Sequence, residues 1–395
     1  MKNSVILPSA IQICVDDVGW FTGADDRYAS KPSRTGMTRN HVPEDYIALN
    51  EIGKAIGQKI TCPLVIGEWD KDNVLRGEIG ITYAPQTWDR ASTINMNLAE
   101  KCFEAAESSE FIEYAYHGVL HGNYDENGRQ ITEEECFTYL DKDEPSYFHT
   151  GRAYTQPEEE IAHRFELFYK IYDSWGFKKK IRTHAAPNSV PRMITSEEVL
   201  PLAHVLNKHD ISYWINGWKR INGHTEFIDG ILYMEKGTNT KIPWNACDID
   251  PLLLPDCAKE NEENLGIILN CHWPNFLRFH KEYNLERVEN WKKFFERQSE
   301  IFGVMTSKDI AFAGNQCVYR NYSKIETEKN VIKIDVTKAA TISPKHTFGE
   351  FYVSLKNNLV PKEIKGGSFE LYETHKEFKT YKIKHTENVV EIVLY

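Results

Sequence analysis

Ile11-Gln12-Ile13-Cys14-Val15 runs apolar and β-prone straight into Asp16-Asp17, so two carboxylates stand at the carboxyl end of a predicted strand. Further along, Phe111-Ile112-Glu113-Tyr114-Ala115-Tyr116 is a second such run, and it ends on His117-Gly118-Val119-Leu120-His121. In parallel sheets, open or closed, the carboxyl edge is where active-site groups gather. Imidazoles at i and i+4 converge on one ion if the loop after the strand turns helical, because they then share a helix face. With one carboxylate they make a three-ligand set that leaves a position open for water, the arrangement of catalytic zinc. The bare residues therefore point to metal-assisted hydrolysis at strand ends.

Strand-like and helix-like segments alternate around these runs. Pro43 opens a predicted helix to about residue 57, with Ile47, Ile52, Ala55 and Ile56 as its apolar stripe. Residues 61–66 read as a strand and the stretch from Asn97 as a helix. Residues 158–175 form a long amphipathic helix closed by Gly176, and 180–184 a short strand. Thr195-Ser196-Glu197-Glu198 carries a helix-capping signal, 211–215 and 266–271 are strand-like, and 284–302 is helical. Repeated βα units with short strands predict a closed or nearly closed parallel (β/α) barrel, with a doubly wound open sheet as the competing architecture. Past residue 322 the pattern changes to strands at 331–336, 349–355, 368–372, 380–384 and 389–394, punctuated by Pro344, Pro361 and Gly366-Gly367. That predicts a small antiparallel, sandwich-like β module. The expected domains are a barrel over 1–322 and the module over 323–395.

The net charge of −11 over 395 residues, with no basic tract, argues against nucleic acid or an anionic membrane as the main partner. No apolar run approaches a membrane span, and the first residues feed into a strand without an export-type apolar segment. The eight cysteines are scattered with no CxxC, which reads as free thiols in a reducing, cytoplasmic setting. A homo-oligomer is compatible with the sequence.

The strand-end groups are Asp16, Asp17, His117, His121, His184 and His272, the last within Leu269-Asn270-Cys271-His272-Trp273-Pro274. This set resembles the polysaccharide deacetylase (NodB-homology) family, metal-dependent carbohydrate esterases on a distorted (β/α) barrel. The family's strand ending in two Asp is matched by Val15-Asp16-Asp17. Its His-x-x-x-His pair is matched by His117 and His121, and its closing Leu-x-x-His by Leu269 to His272. The resemblance runs over residues 10 to 275. It implies Asp17, His117 and His121 as ligands of one divalent metal ion, zinc before others. It further implies Asp16 as general base and His272, charged in the resting enzyme, as general acid. The implied substrate is a carbohydrate carrying an N-acetyl group, hydrolysed by metal-activated water.

Two departures stand out. Where the family carries an Arg that tethers the catalytic Asp, this chain has Ala185, within Arg182-Thr183-His184-Ala185-Ala186-Pro187. Either Arg182 or His184 reaches in instead, or the tether is absent. Asn216, in Asn216-Gly217-Trp218, replaces an Asp that orients the acid histidine, which would leave the His272 pKa lower. Arg182, His184, Trp20, Trp218 and Trp273 are candidate substrate-binding residues, the tryptophans as faces for sugar rings. Met234-Glu235-Lys236-Gly237 and residues 245–262 carry no chemistry legible in the sequence. Two other functions stay open: a carbohydrate-binding or glycan-assembly protein with weakened catalysis on the same barrel, and an amide hydrolase with a non-sugar substrate.

Overall fold

The computed structural model describes residues 4–19, 39–139, 153–187, 197–217, 227–238, 240, 242–243, 246–260 and 266–395. Strand β1 (Val5–Ile6) lies outside the barrel, which is built from β2 (Ser9–Asp16), β3 (Ile60–Leu64), β4 (Ile112–Tyr116), β5 (Thr183–Ala185), β6 (Tyr213–Gly217), β7 (Ile231–Lys236) and β8 (Ile268–His272). Neighbours run parallel in the order β6-β5-β4-β3-β2-β8-β7, and β7 pairs back with β6 to close the ring. The closed barrel, not the open sheet, is the architecture. All eight residues of β2 are buried, as a parallel strand covered on both faces requires. A short strand, β9 (Val304–Thr306), pairs with the amino-terminal half of β2.

Helices α1 (Pro43–Ile56), α2 (Met96–Ser108), α3 (Glu158–Trp175), α4 (Leu200–Lys208), α5 (Val288–Ser299) and α6 (Ile310–Tyr322) accompany the strands. Pro43 sits in the first turn of α1, where its missing N–H costs nothing, and Asp45 accepts the Val42 N–H at 3.1 Å. Gly57 and Gly176 end α1 and α3 in the left-handed region, at φ 69° and 77°. Ile11, Ile13 and Val15 of β2 share one core with Leu49 and Ile52 of α1, Phe165 and Phe168 of α3 and Trp214 of β6. Each such side chain contributes about 1.5–3 kcal/mol on burial. Among the described residues, no helix is long and apolar enough to cross a membrane. All eight cysteines are free thiols.

The carboxyl-terminal strands are β10 (Lys324–Glu328), β11 (Val331–Asp335), β12 (Glu350–Lys356), β13 (Pro361–Lys365), β14 (Gly367–Thr374), β15 (Phe378–His385) and β16 (Val389–Leu394). They form two four-stranded antiparallel sheets, β10-β11-β16-β13 and β1-β12-β15-β14. The second takes its edge from the other end of the chain, Val5 opposite Leu355 and Ile6 opposite Ser354. Helix α6 is the joint. Eight of its residues are buried, so it shows no one-sided stripe in sequence. Its Ile310, Ala313, Val318 and Tyr319 share a cluster with Ile215 and Met234 of the barrel and with Phe351, Val353 and Ile383 of the module. Gln316 Nε2 donates to the Tyr352 carbonyl at 3.0 Å, and Gln316 Oε1 accepts the Tyr352 N–H at 2.9 Å.

Glu113, near the amino end of β4, ties α6 to the barrel floor. Its Oε1 accepts from Thr61 Oγ1 at 2.8 Å and from the Ile310 N–H at 2.9 Å. Burial pushes its carboxyl up to about 7. A carboxyl raised above its unfolded pKa contributes stability that is full below the unfolded pKa and lost as pH rises through the folded one. Glu113→Gln keeps both contacts without that loss. Thermal melts should show it about 3 kcal/mol more stable than the native chain at pH 8 and level with it near pH 4.

Candidate metal centre

Strand β2 delivers Asp16 and Asp17, and the chain then turns at once. Val18 N–H donates to the Pro63 carbonyl at 3.1 Å, and Val65 N–H to the Val18 carbonyl at 3.0 Å. This docking on the end of β3 puts Asp17 in the left-handed region at φ 65°. Strand β4 delivers His117, and Gly118 at φ 103° opens the next turn. The loop from His117 to His121 is not helical, so the i, i+4 argument is not what brings the two rings together. The buried Glu135 carboxylate does so, accepting the N–H groups of Val119 at 2.7 Å, Leu120 at 2.7 Å and Gly122 at 3.3 Å. A Cβ on Gly118 would lie 2.5 Å from the Glu135 Cδ, so the loop needs glycine there. His121 takes φ 57°. Non-glycine residues at positive φ cost about 1–3 kcal/mol and persist where the surroundings over-determine them. Asp17 and His121 both sit there, each within the Asp17–His117–His121 group.

Asp17 Oδ1 lies 3.4 Å from His117 Nε2 and 3.2 Å from His121 Nε2, and one donor atom from each residue falls within 4.8 Å of the others. His117 Nδ1 stands 2.6 Å from the Ala185 carbonyl. A carbonyl only accepts, so Nδ1 carries the proton and the Nε2 lone pair faces Asp17. Asp17 Oδ1 and His117 Nε2 are buried and make no hydrogen bond. Lone pairs facing one another out of water fit a divalent cation between them, with the Ala185 carbonyl orienting one ligand. Burial opposes charge on Asp17, but in the absence of an ion His121 and His117, when protonated, outweigh it and hold its carboxyl well below the usual range.

Glu135→Ala unpairs three buried N–H groups at once. The expected loss is about 2–4 kcal/mol of stability, with metal retention weakened about 10–100-fold. A thermal melt and a chelator competition would measure the two.

Asp16 points elsewhere. Its Oδ2 is 2.5 Å from Lys236 Nζ, with both side chains almost fully buried, and its Oδ1 accepts from the Cys14 thiol at 3.4 Å. Burial pushes its pKa up, and Lys236, then His117 and His272, more than offset this. Lys236 is raised in turn, Asp16 overcoming the effect of burial. His272 ends β8 in register with Asp16, and its N–H donates to Asn275 Oδ1 at 2.6 Å. Desolvation lowers the His272 pKa despite the opposing pull of Asp16 and Asp17. The imidazole expected to rest charged is thus less basic than usual, and burial is the leading cause.

The other candidates are placed differently. Arg182 is exposed just before β5 and lines a cavity of about 630 Å³ with Lys59, Glu113 and Asp309, at the amino-terminal end of the strands. It does not join the cluster. His184 is buried among Tyr116, Phe165 and Trp214, at ring separations of 5.5, 6.4 and 6.1 Å. Burial pushes its pKa down to about 3, so it is a neutral core group. Trp273 is also fully buried, donating from Nε1 to His41 Nδ1 at 2.6 Å and packing on Tyr46, with no face open to a sugar. Asn216 Nδ2 donates to Tyr233 Oη at 3.3 Å. Trp20, Trp218 and the Thr195-Ser196 capping signal lie outside the described residues.

Lys236 and Glu135 are the polar residues the sequence reading passed over. Lys236 had a signal: Gly230 and Gly237 bracket Ile231-Leu232-Tyr233-Met234-Glu235-Lys236, a strand-length apolar run with a cation at its carboxyl end. Glu135 had none, being one acid among Glu133-Glu134-Glu135 in a loop.

No family model and no curated protein matches this chain. It is similar to the crystal structure of Agd3, a novel carbohydrate deacetylase, at 10% identity and a TM-score of 0.48, covering 98% of this chain and 65% of that one. It is also similar to a putative glycoside hydrolase/deacetylase from Parabacteroides distasonis, at 8% identity and a TM-score of 0.40, covering 91% of this chain and 81% of that one. The chain thus spans just under two thirds of the length of the first. At these identities the functional reading rests on the site. Fold and site together define a closed parallel barrel with a buried Asp/His/His group at its carboxyl edge.

Proposed function

We propose that this chain is a metal-dependent hydrolase that removes the acetyl group from an N-acetylated carbohydrate. The observation that carries the reading is the three-residue donor set beside a second carboxylate, Asp16, held apart from it, and an imidazole on the next strand, His272. A divalent ion, zinc before others, fits Asp17 Oδ1, His117 Nε2 and His121 Nε2; when bound it polarises the scissile carbonyl and lowers the pKa of water. The protein supplies the proton chemistry. Asp16, ionised against the cost of burial, takes the proton of the attacking water. His272, in register with it, returns a proton to the departing amine. Both groups lie at the edge of a water-poor interior, where charge–charge interactions are stronger than in solvent.

The sugar in this proposal comes from the motif resemblance: Asp16-Asp17, then His117 and His121, then Leu269 to His272. Trp20 and Trp218 are proposed as its stacking faces. The test is acetate release from a panel of N-acetylated mono- and oligosaccharides. Activity should depend on added divalent ion and fall about 10²–10⁴-fold in Asp16→Asn. If the protein retains metal but releases no acetate from any sugar, the carbohydrate assignment fails, and an acyl-amide panel follows.

A further inference from the structure

Asp16 and Asp17 are adjacent, buried 5% and 2% exposed at one strand end, yet only Asp17 faces the two histidines. Two carboxylates beside a divalent ion would both gain from ligating it. A centre that keeps a position open needs one of them held elsewhere. Lys236 does this. It ends β7, which is separated from β2 by β8, so its ammonium reaches across a whole strand to Asp16 Oδ2 at 2.5 Å. The side chains that alternate with it along these strands, Met234 below Lys236 and Cys14 below Asp16, lie in one cluster, so both polar groups top the same face. Arg182 and His184, the other basic candidates, are placed at the barrel floor and in the outer core.

We propose that Lys236 is a positioning residue whose ammonium keeps Asp16 out of the metal's ligand set and so gives the two neighbouring carboxylates different tasks. The inference rests on the proposed metal centre. Without Lys236, Asp16 is a buried anion lacking its main counter-charge, and a divalent ion held by the adjacent Asp17 would supply one. The centre would then gain a fourth protein ligand and lose its open position.

Cobalt(II) reports this directly, because its visible absorption weakens as coordination number rises. The spectra to compare are those of the cobalt-loaded native chain, Lys236→Met, Lys236→Arg and the double variant Asp16→Asn/Lys236→Met. Lys236→Met should show a weakened, altered spectrum, while Lys236→Arg and the double variant keep the native one. A native spectrum in Lys236→Met overturns the proposal, and so does the same altered spectrum in the double variant. If Lys236→Met does not fold without metal, cobalt(II) added during refolding should rescue it, since the ion replaces the ammonium as counter-charge. No rescue, with the double variant folding normally, also overturns it. None of these readouts involves an acetylated sugar. A spectral change without deacetylation sinks only the functional reading, whereas a native chain that takes up no cobalt sinks the centre and this inference together.

Discussion

His121→Ala leaves the chain folded and strips it of its ion. Elemental mass spectrometry after dialysis should find about one divalent ion per native chain and essentially none in the variant. The loop survives because its geometry does not depend on the imidazole. Glu135 gathers three of its N–H groups, and Gly67 N–H donates to the Val119 carbonyl at 2.7 Å. An alanine at φ 57° costs about 1 kcal/mol more than an unstrained site, well inside a normal stability margin. Affinity falls much further. Losing an outer-shell partner already weakens metal about 10–100-fold, and His121 presents a donor atom to the ion itself. Acetate release should drop to background with the ion. Equal metal in native chain and variant would mean that Asp17, His117 and His121 are an ordinary buried polar group.

Removal of residues 323–395 has the second largest expected effect: the fragment should not fold. It uncovers Ala313, Val318 and Tyr319 of α6, now packed with Phe351, Val353 and Ile383. It takes both Tyr352 hydrogen bonds from Gln316 and, among the described residues, the only strand partner of β1. Burial at about 1.5–3 kcal/mol per apolar side chain makes this loss comparable with a whole domain's margin of about 5–15 kcal/mol. Expression of 1–322, followed by circular dichroism and sedimentation, would check it. A soluble fragment with a cooperative melt would show instead that the barrel stands alone and the module is an addition.

Much of the site was legible because it is written at strand ends. Period-two apolar runs such as 11–15 and 112–116 locate a strand from local residues, and whatever follows them falls at the sheet edge. The same logic puts Asp16, Asp17, His117 and His272 at or just past strand ends, with His121 in the loop that follows. It failed at Ile231–Lys236 and Ile310–Tyr322, for opposite reasons. The first is a glycine-bracketed apolar run whose terminal lysine belongs to no motif that marks it as chemical. The second is buried on most sides and so has no amphipathic signature. His184 was misplaced by a single step: its neighbour Ala185 supplies the carbonyl that orients His117, while His184 turns into the outer core. Successive side chains on a strand point to opposite faces, and nothing in the short run Arg182-Thr183-His184-Ala185 marks which face His184 takes.

The sequence by itself determined the parallel βα architecture, the antiparallel module and the identity of the groups at the carboxyl edge, because each depends on local periodicity and composition. The tertiary structure alone decided ring closure through β6 and β7, the capture of β1 by the module, the gathering of the histidine loop by Glu135, and the pairing of Asp16 with Lys236, 220 residues away. These are contacts between segments distant along the chain. Their partners are chosen by which side chains meet when the barrel closes and by the cost of leaving a buried charge or N–H unpaired.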